Sequence, residues 1–143
     1  MNQPIVIVVD TNVFVSAVLG KGASREVLRN CLAGHYLPIM GNTLFIEYES
    51  LLTRDTLFAN CYLTVLERET LLDAFLSICR WTNIYYHFRP NLKDEADNHL
   101  IELAIAGGAK YLVTKNRKDF LTADLRFPQL QIVLPETLLQ RRP

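Results

Sequence analysis

The side chains best suited to chemistry in this sequence are acids at the ends of apolar runs or at the openings of helical patterns. Asp10 follows Ile5-Val6-Ile7-Val8-Val9, Glu47 lies early in a helical pattern, Asp94 and Asp97 open another, and Asp119 follows a later short run. Hard divalent cations prefer oxygen ligands, keep several waters and take only one or two carboxylates directly. Three or four converging acids would hold one or two such ions, lowering the pKa of a bound water and neutralising charge on a phosphate during in-line displacement. Each acid also has a structural reading. Asp10 can cap the next helix or meet a lysine, Asp94 can be an N-cap, Asp97 a first-turn acid favoured by the helix dipole, and Asp119 a turn cap. Glu47 shares a face with Leu44 and Leu51 whereas Glu49 does not, so Glu47 is read as the inward acid. Spacing alone leaves their convergence open.

The elements that must position these acids follow from the apolar periodicity. Ile5 to Val9 is short, unbroken and almost wholly β-branched, which suits a strand buried on both faces. Asp10 then falls at the carboxyl end of a central strand, where open α/β sheets place their ligands. Val13, Phe14, Ala17 and Val18 recur at helical spacing from about Asn12 to a turn at Gly20-Lys21-Gly22. A second helix is expected over Arg25 to Ala33, with Ser24 as N-cap and Gly34 at C′, then a strand over Tyr36 to Met40. Asn42 or Thr43 caps a third helix through Leu52, and Asp55 to Leu63 is a loop with a short turn. Thr64 and Glu67 form a capping box for a helix to about Arg80, and Thr82 to His87 is expected as a third strand. Arg89-Pro90-Asn91 breaks the chain before a helix capped by Asp94 and closed by Gly107-Gly108. Strands over Tyr111 to Thr114 and Leu130 to Leu134, a turn at Arg117 to Phe120 and a last short helix from Pro135 complete the pattern. Alternating strands and helices indicate a three-layer α/β/α sandwich around a central parallel sheet of four to five strands, in a single domain over residues 1–143.

Composition narrows the class. Half the 143 residues are apolar, and fifteen basic residues balance fifteen acidic ones, so bulk charge favours no polyanionic partner, although a local patch remains compatible with it. Cys31, Cys61 and Cys79 are odd in number and form no CxxC pattern, as expected for reduced core thiols of a cytoplasmic protein. The opening apolar run lacks a basic leader and is interrupted by Asp10, so it is not read as a signal peptide. No stretch approaches the roughly 20 apolar residues of a membrane span.

Three stretches then resemble one family. VVDTNVFVSAVL looks like the opening strand of a PIN domain with its first acid, Asp10; TLFIEYESLLTR is similar to the second motif, with Glu47 as its acid; and DNHLIELAIAGGAKYLVTKNRKDF is similar to the third and fourth. There Asp97 matches the metal-site aspartate, Asp94 occupies the acidic position just before it, and Thr114 is like the threonine ending the fourth strand. Where many members carry an aspartate this chain has Asn116, leaving Asp119 as the next acid. The resemblance implies a PIN-like fold and a Mg²⁺- or Mn²⁺-dependent endoribonuclease acting on single-stranded RNA, as the toxin of a toxin–antitoxin pair. It implies Asp10, Glu47 and Asp97 as catalytic metal ligands, with Thr11 and Asn12 ordering the Asp10 turn and Thr114 and Asn116 binding waters or the scissile phosphate. Lys115, Arg117 and Lys118, with Arg25 and Arg54 as helpers, would meet RNA phosphates. A cognate antitoxin and a homodimer are the partners it implies.

Two other readings compete. Asn116 fits a nucleic-acid-binding module of the same fold with weak catalysis. Lys115, following a strand that ends at Thr114, fits a Mg²⁺-dependent phosphatase or receiver-like domain. A dinucleotide-binding reading is weaker still, because no GxGxxG follows the first strand.

Overall fold

The computed structural model describes residues 3–20, 22–85, 97–120 and 127–141, the side chain of residue 119 excepted. Ile5–Val9 forms β1, and its β-branched side chains lose little by extending while Ile7 and Val8 are wholly buried. β1 sits mid-sheet, paired in parallel with β2 (Tyr36–Met40) on one side and β4 (Tyr111–Val113) on the other. β3 (Arg80–Trp81) adds to β2 and β5 (Gln131–Val133) to β4, giving an all-parallel sheet in the order β3-β2-β1-β4-β5.

The helices are α1 (Thr11–Leu19), α2 (Ala23–Leu32), α3 (Asn42–Leu52), α4 (Val65–Ile78), α5 (Asn98–Ala106) and α6 (Pro135–Gln140), with 3-10 turns at Asp55–Phe58 and Arg117–Phe120. α2 packs on α1, α4 and α6, whereas α5 lies against β1, β2 and β4; α3 touches both α1 and α5. This is the expected α/β/α architecture. Gly107 closes α5 directly over β2, where a Cβ would come within 2.3 Å of Ile39 Cδ1.

Several boundaries differ from the sequence expectation. Gly22, at φ 97°, is the N-cap of α2, so Ser24 falls inside the first turn and is buried. Glycine takes that left-handed conformation without steric cost, and no hydroxyl cap is needed. Gly41 rather than Asn42 or Thr43 caps α3. α4 stops at Ile78 and β3 begins at Arg80, earlier than the expected strand from Thr82. The partner sets this limit: Ile39 and Met40 pair with Arg80 and Trp81, Thr82 N–H makes a last bond of 2.8 Å to Met40 O, and β2 then turns into α3. Among the described residues the Thr-Asn-Ile-Tyr run beyond that point joins no strand, and the last part of the expected strand, residues 86–87, lies outside the described residues. The capping box is present, with Glu67 N–H donating to Thr64 Oγ1 at 3.1 Å and Thr64 N–H to Glu67 Oε1 at 3.0 Å. Gly34, at φ 88°, terminates α2 as expected.

All three cysteines are free. Burial pushes the Cys31 thiol far up and the Cys79 thiol up to about 12, so neither offers a thiolate at neutral pH. Among the described residues no helix is long and apolar enough to cross a membrane.

Candidate functional site

The strand order reverses at β1, because β2 and β3 are laid down on one side of it and β4 and β5 on the other. A crevice at the carboxyl ends of β1 and β4 is the expected ligand position of such a sheet. Val9 and Val113 are in register, so the next residues, Asp10 and Thr114, emerge side by side. Asp10 N–H donates to Val113 O at 3.0 Å, and Thr114 N–H to Val133 O at 3.0 Å.

A closed network forms there. Thr114 Oγ1 donates to Asp10 Oδ2 at 2.8 Å, Asn12 Nδ2 donates to the same oxygen at 3.3 Å, and Thr11 Oγ1 donates to Asp10 Oδ1 at 3.3 Å. Asn12 Nδ2 also lies 3.4 Å from Thr114 Oγ1, while Asn12 Oδ1 accepts Lys115 N–H at 3.1 Å. Thr114 Oγ1 accepts Asn116 N–H at 3.1 Å as well. With one proton given and two lone pairs occupied, that hydroxyl has no capacity left. Thr114 therefore holds Asp10 in place.

The Asp10 carboxyl is pushed above the ordinary value of 3.8, first by burial, with the nearby Glu47 charge adding to it; the Thr114 and Thr11 bonds oppose the shift without cancelling it. All its side-chain donors among the described residues are neutral. A buried carboxylate near a second carboxylate, with no cation paired to it among the described residues, is an environment that a metal ion would relieve.

Glu47 arrives from the β2 side. α3 is locked to the end of β1 by Tyr48, whose hydroxyl donates to Val9 O at 2.5 Å and whose ring packs on Phe14 and Phe75 at 5.3 and 5.9 Å between centroids. Burial pushes the Tyr48 hydroxyl well above its ordinary value, so it stays protonated and donates. The residue before it, Glu47, then faces α5 and meets His99 Nε2 at 2.8 Å. Glu49 is exposed, as its position on the helix requires.

The other candidates are distributed as follows. Asp97 sits at the N-cap of α5, one residue before the helix, rather than inside its first turn. Asp94 and the side chain of Asp119 lie outside the described residues. Among the described residues no three His, Cys, Asp or Glu side chains approach closely enough to share an ion. The Asn116 side chain is exposed, and its backbone N–H serves the network. Lys115 reaches Ser16 Oγ at 3.2 Å, on α1 beside Asp10. Arg117 is turned to the sheet edge, its Nε donating to Ile132 O at 3.0 Å, and Lys118 is exposed. Arg25 donates to Ala17 O near the far end of α1, away from the crevice.

Two residues of this site were not singled out by sequence: His99 and the hydroxyl of Tyr48. Each had a signal. Both lie on nearly continuous apolar stripes, where a ring carrying a polar atom must find a buried partner.

The Asp10 carboxylate, with the Glu47 carboxylate nearby, offers oxygen ligands of the kind a hard divalent cation prefers while keeping most of its waters. The PIN domain family model matches residues 6–118. Among solved structures, a chain of VapBC2 from Rickettsia felis, bound to a DNA fragment from their promoter, aligns with a TM-score of 0.62 and 17% identity. The match covers 91% of this chain and 98% of that one, and it is a likeness of fold. No curated protein matches significantly. The motif order, the switch-point carboxylate and the family match over most of its length place this chain in the PIN domain family, whose members are generally nucleases.

Proposed function

We propose that the chain is a cytoplasmic endoribonuclease, dependent on Mg²⁺ or Mn²⁺, that cleaves single-stranded RNA as the toxin of a toxin–antitoxin pair. The observation that carries this reading is Asp10: a buried carboxylate at the sheet's switch point, raised in pKa, fixed by three neutral side chains and close to a second acid. Asp10 would hold the ion directly. Glu47 and Asp97 would add carboxylate oxygens, with Asp94 and Asp119 as further candidates. When bound, the ion supplies a water of lowered pKa and neutralises charge on the phosphate.

The chain's own residues do the positioning. Thr11, Asn12 and Thr114 fix both Asp10 oxygens, so little reorganisation is required when cation and substrate arrive. His99 holds Glu47 by its Nε2. Lys115 and Lys118, exposed beyond β4, are the side chains best placed to attract RNA phosphates, while Arg117 is engaged with β5. Support for an antitoxin partner comes from the fold likeness to a chain of the VapBC2 complex.

A second reading is favoured by Asn116, where many PIN domains have an acid. In that reading the chain binds RNA but cuts weakly. Incubating wild type and Asp10→Asn with single-stranded RNA and Mn²⁺ separates the two. Metal-dependent cleavage lost in a folded Asp10→Asn protein supports the nuclease, whereas saturable binding with no cleavage under Mg²⁺ or Mn²⁺ supports the binding module.

A further inference from the structure

Beside the carboxylate crevice lies a second concavity, of about 360 Å³, at the carboxyl ends of β2 and β3. Asn42 and Thr43 from the start of α3, Thr82 and Asn83 from the segment after β3, and His99 and Glu102 from α5 line it, with Ile84 as an apolar wall. It adjoins the site through one side chain, because His99 both lines this cavity and bonds Glu47 at 2.8 Å.

Its chemistry differs from that of the crevice. Among the described residues the lining carries no lysine or arginine and does carry a carboxylate, so an anionic phosphate is the wrong occupant. Two amides and two hydroxyls offer mixed donors and acceptors, as the edge of a nucleobase requires. The Asn42 and Thr43 side chains make no hydrogen bond among the described residues, and the buried His99 Nδ1 also lacks a partner. The volume is at the small end for ligand cavities, about 300–1,000 Å³, and so suits one base rather than a stretch of strand. The segment that supplies Thr82, Asn83 and Ile84 is bracketed by two exposed aromatics, Trp81 at 50% and Tyr85 at 78% exposure. Single-stranded RNA is recognised in this way, with unstacked bases resting on aromatic faces and read at their edges by polar side chains.

We infer that this cavity is a nucleobase-reading subsite: it takes one unpaired base of the RNA strand, next to the phosphate at Asp10, and gives the enzyme a base preference at that position. The inference rests on the ribonuclease reading above. Amides and hydroxyls from α3 and the β3 segment read the edge, and Trp81 and Tyr85 offer stacking faces for neighbouring bases.

The test uses full-length Asp10→Asn protein, titrated by fluorescence anisotropy with short single-stranded RNAs that differ at one position in base or carry an abasic residue there. One position should show about a tenfold preference for one base, with an equal loss for the abasic strand, as expected for a lost pair of base-edge hydrogen bonds. Adding Thr43→Val and Asn83→Ala, both at exposed positions, should level that preference and leave the salt dependence of binding unchanged; Asn42→Ala provides an independent variant of the same wall. A preference that survives in variants with unaltered melting temperature, or even binding of all bases at every position, overturns the subsite. Even binding overturns the subsite alone, whereas failure of any RNA to bind overturns the ribonuclease reading with it.

Discussion

The two sides of the sheet's carboxyl edge hold their acids by opposite means. On the β1–β4 side, Asp10 is surrounded by neutral hydroxyl and amide donors that also bond one another, so the group is fixed before anything binds. On the β2–α5 side, Glu47 is about one-third exposed and rests on a single imidazole, beside a cavity with unpartnered polar atoms. The first arrangement suits a constant task, the holding of a cation. The second suits one that varies, because a single bond can be exchanged when substrate or metal arrives. Preorganisation by several donors, against retention by one, is the physical distinction.

The sharpest way to break this contrast is Asp10→Asn. It should lower metal-dependent RNA cleavage by about a thousandfold or more, measured in single-turnover assays, while circular dichroism stays native. Retained cleavage would show that the rigid side is not the centre. Next in size, His99→Ala releases Glu47 and should weaken Mn²⁺ binding by about 10–100-fold in calorimetry, the usual cost of losing a residue that orients a ligand. An unchanged affinity would remove Glu47 from the metal's surroundings.

Thr114→Val removes the shortest bond to a buried carboxylate and should cost about 1.5–3 kcal/mol in urea unfolding at neutral pH. Tyr48→Phe removes the donor to Val9 O and should cost about 1–2 kcal/mol, with a loss of cleavage because α3 no longer fixes Glu47. If Tyr48→Phe proved as active as wild type, the tether between the two sides would be unnecessary.

The smallest effect is on pH dependence. The folded Asp10 pKa lies above 3.8, so the folded chain holds this proton more tightly than the unfolded one. In metal-free protein this group therefore favours folding most at low pH. That contribution is lost as pH rises from 3.8 through the raised value, and the penalty persists above it. The stability difference between wild type and Asp10→Asn, followed by urea midpoints, should turn against wild type across that window. A difference constant with pH would show that Asp10 is not desolvated.

Much of this was legible in the residues. The β-branched run before Asp10, the Thr64–Glu67 capping box, Gly34 after α2 and the inward position of Glu47 all follow from period and local sterics. The end of β3 was not legible, because Thr-Asn-Ile-Tyr has strand composition and only the length of β2 denies it a partner. Ser24 was likewise a sound cap by type, displaced because Gly22 entered the helix through a left-handed conformation.

Sequence by itself determined the alternating elements and the buried strand that carries Asp10. These depend on side-chain shape, period and capping, all local properties. Only the tertiary structure decided what each acid meets. Thr114 lies 104 residues from Asp10 and is brought beside it by strand register, and His99 lies 52 residues from Glu47 and meets it only where α5 crosses α3. Partners so distant in the chain leave no periodic trace, since contact between them is set by the order in which the strands join the sheet.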